Sequence, residues 1–253
     1  MNVPLIVFLL TAALSAQLGG WPSARPATAA PLIRQAITPH KIVALTFDDG
    51  PSPRWTPKIL HVLQHDHVHA TFFVIGSHAL RYPDLVRQEV QAHMDVESHG
   101  HRHIILRHRT PAEVRQEVEY NAHILQSLGV PRPTLYRLPG GASDSTALQV
   151  LGALGYRVIG WSIDPRDWQY RYSAAQMTQK VESAIHPGAI IIFHDGPNGS
   201  QATVDAVSQI IPDLTRQGYR LVTVPQLLHD EAAAQHAKAA RQPSRSRHWK
   251  TQN

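Results

Sequence analysis

Between residues 41 and 228, seven short apolar runs alternate with amphipathic stretches, and this constrains the fold more than any other feature of the chain. The runs are Lys41–Phe47, Ala70–Ile75, Asp95–Ser98, Thr134–Leu138, Arg157–Ile163, Ala189–His194 and Arg220–Val224. Strands that alternate with helices pair in parallel, so the pattern predicts an α/β fold. It is compatible with an irregular barrel or an open doubly wound sheet. Some helix ends are explicit: Thr110 reads as an N-cap, Pro111 as the first helical residue and Glu113 as the closure of a capping box. That helix is expected to stop at Gly129, with Pro131 just beyond. A later helix reaches Gly218, and Pro212 is expected to kink it or split it in two. No Gly-rich dinucleotide loop or phosphate loop follows the first run.

Unusual polar residues gather where these strands end. Asp48 and Asp49 follow the first, His99, His101 and His103 the third, and Arg137 ends the fourth. Asp164 to Trp168 follow the fifth, and His194 closes the sixth. In a parallel barrel those ends share one face, where active sites of such folds lie.

Two adjacent carboxylates raise each other's pKa and cost stability unless something neutralises them. A dication does so: one of Asp48 and Asp49 binds it and the other stays a free base. His99 and His103, four residues apart, complete a two-His, one-carboxylate set of the kind that leaves a catalytic zinc an open position. Such an ion lowers the pKa of bound water, and the spare carboxylate takes its proton. Arg137 either orients that base or forms an ordinary surface ion pair. An amide's nitrogen leaves poorly unless protonated, and His194 can supply the proton if a carboxylate holds its other ring nitrogen. Asp167 is the candidate holder and Asp195 its local competitor. A second group, His61, His65, His67 and His69, reads as a solvated surface.

Composition narrows the setting. The 253-residue chain has room for one substantial core, and it has no cysteine, which excludes disulfides and thiolate metal sites. The apolar stretch Val3–Ala16 within residues 1–30 has the length of a secretory signal core, although a basic leading region is missing. The expectation is export, with this segment cleaved or kept as a membrane anchor. Residues 231–253 carry five Lys or Arg and one acid, so most of the formal +5 sits in what reads as a disordered tail. The body has no basic stripe with interleaved aromatics, which argues against a nucleic-acid partner.

Together the strand-end motifs resemble those of the polysaccharide deacetylase family, the NodB homology domain or carbohydrate esterase family four. Five appear in the family's order across residues 40–228: "TFDDGP" at 46–51, "SHGHRH" at 98–103, "RLPGG" at 137–141, "DPRDW" at 164–168 and "IFH" at 192–194. The resemblance implies a distorted (β/α) barrel and a divalent cofactor, most often zinc. It implies Asp48 as general base, Asp49, His99 and His103 as metal ligands, and Arg137 as orienter of the base. It makes Gly140 an oxyanion donor through its N–H, Asp167 the tuner of His194 as acid, and Trp168 and Ile192 walls of an acetyl pocket. The implied partner is an N-acetylated glycan, peptidoglycan or chitin-like, from which acetyl groups are removed.

The chain departs from the family pattern in three places. Gly100 stands where Ser or Thr is usual, removing a hydroxyl that braces the ligand loop, and Gly140 stands where an aromatic is usual. His101 is additional: it either competes as a ligand or points to solvent, and solvent is the expectation. Two other readings remain at this point: a silent glycan-binding module with a structural metal, and an amidase for a small non-sugar substrate.

Overall fold

A computed structural model describes residues 28–241. The export segment falls outside the described residues up to residue 27, as does the tail from 242 onward. In chain order the elements are β1 (Leu32–Ile33), β2 (Ile42–Asp48), α1 (Thr56–His65), β3 (Thr71–Val74), α2 (Gly76–Arg81) and α3 (Pro83–Gln91). There follow β4 (Asp95–Ser98), α4 (Pro111–Ser127), β5 (Leu135–Tyr136), α5 (Ser145–Ala153) and β6 (Arg157–Ile159). The last are α6 (Ala174–Ala184), β7 (Ile190–His194), α7 (Gln201–Arg216), β8 (Arg220–Val222) and α8 (Val224–Arg241).

All strand pairs are parallel, in the order β1-β6-β5-β4-β3-β2-β7, with β8 also on β2. Two isolated bridges, Gln35 to Ala189 and Ile163 to Ile191, lie between the β1/β6 side and β7. The strands curl into a distorted (β/α) barrel. All seven residues of β2 are buried, as a parallel strand covered on both faces requires.

The two-residue period of a strand divides the core. Val43, Leu45 and Phe47 face the outer helices, where Phe47 stacks on Phe72 and Phe193 with ring centroids 5.0 and 6.1 Å apart. Ile42, Ala44, Phe73, Leu135, Ile159 and Ile190 form a second cluster with Val224, Leu227 and Leu228 of α8. Asp48 shares its side of β2 with Ala44, Arg137 continues the side of Leu135, and His194 shares the side of Ile190 and Ile192.

The predicted helix start at Thr110 is present as a complete capping box. Four expectations need correction. Strand β1 was not anticipated; it pairs with β6, and Ala30 is buried, so the packed body begins before residue 40. The strand expected over Arg157–Ile163 stops at Ile159, because the Gly160 carbonyl bonds Arg137 instead of a neighbouring strand. Pro212 does not split α7 in two: it lies inside one continuous helix with Ile210, Ile211 and Leu214 buried on both sides of it, so packing holds the two halves together despite the lost N–H. Residues 231–241 continue α8, whose Glu231 accepts the Ile37 N–H at 2.9 Å, so this part of the basic tail is helical. Among the described residues no helix is long and apolar enough to cross a membrane.

Candidate active site

The barrel mouth brings the strand-end residues together. Asp48 ends β2 and is 2% exposed; Asp49 follows with φ 70, a left-handed backbone that redirects the chain. Register makes Asp48 the partner of His194 on β7. Pairing of Ser98 with Tyr136 carries His99 next to Arg137, whose carbonyl accepts from His99 Nδ1 at 2.8 Å. That bond places the ring proton on Nδ1 and leaves the Nε2 lone pair free.

His99 Nε2 and His103 Nε2 each lie 3.3 Å from Asp49 Oδ1. The donor atoms of Asp49, His99 and His103 all lie within 4.8 Å of one another, and this is the one such cluster of three or more His or acidic residues found among the described residues. Asp49 Oδ1 is buried without a hydrogen-bond partner, while Oδ2 accepts from Asn198 Nδ2 at 3.0 Å. An orphaned carboxylate oxygen facing two imidazole nitrogens is a donor set that fits a divalent ion of borderline softness. Burial alone raises the Asp49 pKa, but contact with His99 and the charges of His99, His194 and His103 hold it below the carboxylate range. Burial lowers the His99 pKa; Asp48, Asp49 and the Arg137 carbonyl outweigh it and leave it raised.

Arg137 is fully buried. It donates to Asp48 Oδ1 at 2.7 Å, to Thr46 Oγ1 at 2.6 Å, and to the carbonyls of Ile159 and Gly160 at 3.2 and 3.0 Å. The guanidinium lies over the Phe73 ring, 4.1 Å from its centroid. The surface ion-pair reading therefore fails, because no part of Arg137 reaches solvent. Its contact fixes one oxygen of Asp48, while Oδ2 lies 3.9 Å from His99 Nε2.

On the other side, His194 Nδ1 meets Asp167 Oδ1 at 2.8 Å, and the backbone N–H of His194 donates to Asp167 Oδ2 at 2.9 Å. Asp167, not Asp195, is the holder. Asp195 turns away to Thr56, whose hydroxyl donates to it at 2.5 Å, and burial pushes its pKa up to about 7. Burial lowers the His194 pKa, yet Asp167, with help from Asp48 and Asp49, raises it to about 9. Trp168, directly after Asp167, is 44% exposed, and Ile192 is buried on the side of β7 that carries His194. Gly140 sits in the exposed turn after Arg137 at φ 62.

Several supporting residues escaped the sequence reading. Asn198, on the loop after β7, shares Asp49 and has no local signal beyond its Gly-rich setting. His78 Nδ1 contacts the Asp49 carbonyl at 2.8 Å. Glu117 of α4 braces the ligand loop by accepting the Arg102 N–H at 2.5 Å and its Nε at 3.3 Å, where a hydroxyl at position 100 was missed. Thr46, two residues before Asp48 on the same strand side, was findable from period two alone. His101 lies outside the donor cluster and is half-buried, with its ring edge-on to the exposed Tyr120 at 4.5 Å.

The family model described as "Polysaccharide deacetylase" matches residues 35–159. A peptidoglycan-N-acetylglucosamine deacetylase of Bacillus cereus is 35% identical over 75% of this chain and 89% of its own. A chitooligosaccharide deacetylase of Bradyrhizobium sp. is 38% identical over 76% of this chain and 92% of its own. The crystal structure of a peptidoglycan N-acetylglucosamine deacetylase in complex with 4-naphthalen-1-yl-N-oxidanyl-benzamide superposes with a TM-score of 0.76 at 32% identity, covering 78% of this chain and 92% of that one. With relatives of this similarity matched over most of their length, the chain belongs to the polysaccharide deacetylase family and is a hydrolase of carbon–nitrogen bonds.

Proposed function

We propose that this chain removes N-acetyl groups from a cell-wall or chitin-like glycan, with a divalent ion, zinc by its donor set, held by Asp49, His99 and His103. One observation carries the reading. A carboxylate fixed by a buried arginine and a histidine fixed by a buried aspartate flank the same three-donor cluster. When bound, the ion supplies Lewis acidity that activates water and polarises an acetyl carbonyl.

The remaining work falls to side chains. Asp48, held at Oδ1 by Arg137, uses Oδ2 to take the proton of the attacking water. His194, protonated below its raised pKa, gives its Nε2 proton to the departing amine, so that the amine leaves neutral. Asp167 keeps the Nδ1 proton in place and stabilises the charged ring. The N–H of Gly140 supports the developing oxyanion. Ile192 and Trp168 give the acetyl methyl an apolar wall.

The small-amide reading draws on one feature, the exposed Gly140, where no side chain closes the pocket. The silent-module reading gives the arginine-held Asp48 and aspartate-held His194 no task. An N-acetylated wall glycan lies outside the cytoplasm, which suits Val3–Ala16 as an export signal or anchor. Recovery of the protein in medium, membrane or cytoplasmic fractions tests that placement.

The function is tested by stripping the full chain of metal, reloading with zinc, and measuring acetate release. The substrates are N-acetylglucosamine oligomers, peptidoglycan fragments and small acetamides. Zinc-dependent release from a glycan, abolished in Asp48→Asn with zinc still bound, supports the proposal. Release only from small acetamides moves the amidase reading ahead, and zinc binding without any release favours the silent module.

A further inference from the structure

Five helices of the barrel, α1, α3, α4, α5 and α7, end in the same way. After each, the second residue beyond the helix adopts a left-handed backbone and donates its N–H three residues back, and the next N–H reaches five residues back. Three of these turns use glycine at the left-handed position: Gly129, Gly155 and Gly218, with φ of 91, 83 and 83. Two use histidine instead, His67 at φ 55 and His93 at φ 59. An L side chain there is strained relative to glycine, and such strain collects at functional positions. Asp49 and His103, both in the proposed metal cluster, are likewise left-handed, at φ 70 and 56.

The two histidine turns are neighbours in space. They feed β3 and β4, whose register pairs Thr71 with Asp95. Two residues before those partners stand His69 and His93, and their rings meet edge-on with centroids 6.2 Å apart. For comparison, the His99 and His103 rings are 4.9 Å apart. Two imidazoles on one ion, at about 2 Å per bond, hold their rings roughly 5–6 Å apart. His67, His69 and His93 line one recess of ≈ 370 Å³, and no acidic residue lines it. The Met94 sulfur, which also lines the recess, accepts the Ala70 N–H at 3.4 Å, and the remaining side-chain donors are the three imidazoles and the weaker amide oxygens of Gln64 and Gln91. As they stand the three rings do not bring their nitrogens within 4.8 Å of one another, and all three residues are exposed, so the site requires the rings to turn toward one another.

We infer that His69 and His93, with His67, form a second transition-metal site at the N-terminal ends of β3 and β4, at the opposite end of the strands from the deacetylase centre. An all-imidazole set favours zinc, copper or nickel over magnesium or calcium. The site staples the turn after α1 to the turn after α3. Reading His61 to His69 as a mere solvated surface leaves out His93, which lies far away in the chain and arrives through strand register.

The test uses untagged full chain, stripped of metal and dialysed against zinc, with bound zinc counted by elemental analysis. The native chain is expected to hold two equivalents and His69→Gln/His93→Gln one, with zinc-dependent acetate release unchanged within twofold. One equivalent in the native chain, or two retained by the double variant, overturns the inference. A single variant separates binding from folding. His93→Gly relieves the left-handed strain, so it is expected to raise the zinc-free melting temperature while shrinking the increment that zinc adds. A lower zinc-free melting temperature, or an undiminished increment, counts against the site.

Discussion

Asp48 and His194 are register partners on adjacent parallel strands, and each is anchored by a buried residue of opposite charge, Arg137 at 2.7 Å and Asp167 at 2.8 Å. The proposed base and acid are thus placed by backbone pairing, and oriented by one charge-assisted contact apiece.

Arg137 is the larger structural commitment. Arg137→Met strands Asp48 as a buried, unpaired carboxylate, and about 3–5 kcal/mol of stability is expected to go with it. Arg137→Lys is not a mild change, since one ammonium cannot reach Thr46, Asp48, Ile159 and Gly160 together. Denaturant unfolding of both variants beside Asp48→Asn checks this. Asp48→Asn leaves the fully buried Arg137 charge without its carboxylate, so it is expected to unfold at lower denaturant than the native chain as well as to lose activity.

His194 predicts a basic limb. With its pKa raised to about 9, the ring keeps its proton through neutral pH, and acetate release should fall as pH rises through that value. Asp167→Asn removes the main raising influence and is expected to move the limb toward lower pH. Stability follows the same sign: a histidine whose folded pKa is raised contributes fully below its unfolded value of about 6.5 and loses that contribution as pH passes about 9. Unfolding of native chain and Asp167→Asn between pH 6 and 9.5 should therefore show a gap that narrows upward.

Gly100 invites a restoring Ser, and the structure predicts that it fails. A Cβ at position 100 meets Tyr136 Oη at 2.8 Å and Glu117 Oε1 at 3.2 Å, on a backbone at φ +80. Overpacking of about 1–3 kcal/mol adds to a left-handed cost of about 1–2 kcal/mol. Thermal melts of Gly100→Ser should show a clear loss, with weaker zinc binding because Glu117 no longer braces Arg102 undisturbed.

Gly140→Tyr should behave differently. Its Cβ meets only Ile105 Cδ1, at 3.0 Å, and the position is exposed. The expected cost is the left-handed one alone, about 1–2 kcal/mol. Steady-state kinetics on glycan oligomers and small acetamides should show KM moving more than kcat, because the change adds a wall and leaves Asp48 and His194 in place.

The residues given roles in the proposed chemistry were legible because each sits at a strand end, where a short motif carries both the apolar run and the polar residue after it. Asp48, His99, Arg137 and His194 are cases in point. Helix starts with side-chain caps were legible for the same local reason, as at Thr110. The support around the site was not. Asn198 reaches Asp49 across 149 positions, and Glu117 reaches Arg102 from the next helix, so neither has a local pattern. Strand β1 is two residues long, too short for periodicity to register. Pro212 does not break α7 because propensity describes an isolated helix, whereas the core beneath α7 holds this one together.

The left-handed backbone at Asp49 narrows what position 49 can be before any chemistry is considered. Only glycine, asparagine and aspartate sit there at little conformational cost. Of those three, aspartate alone brings a negative charge to the two imidazoles. The second acid of the pair is therefore chosen twice, once by the shape of the chain and once by charge, and mutational drift there has almost nowhere to go.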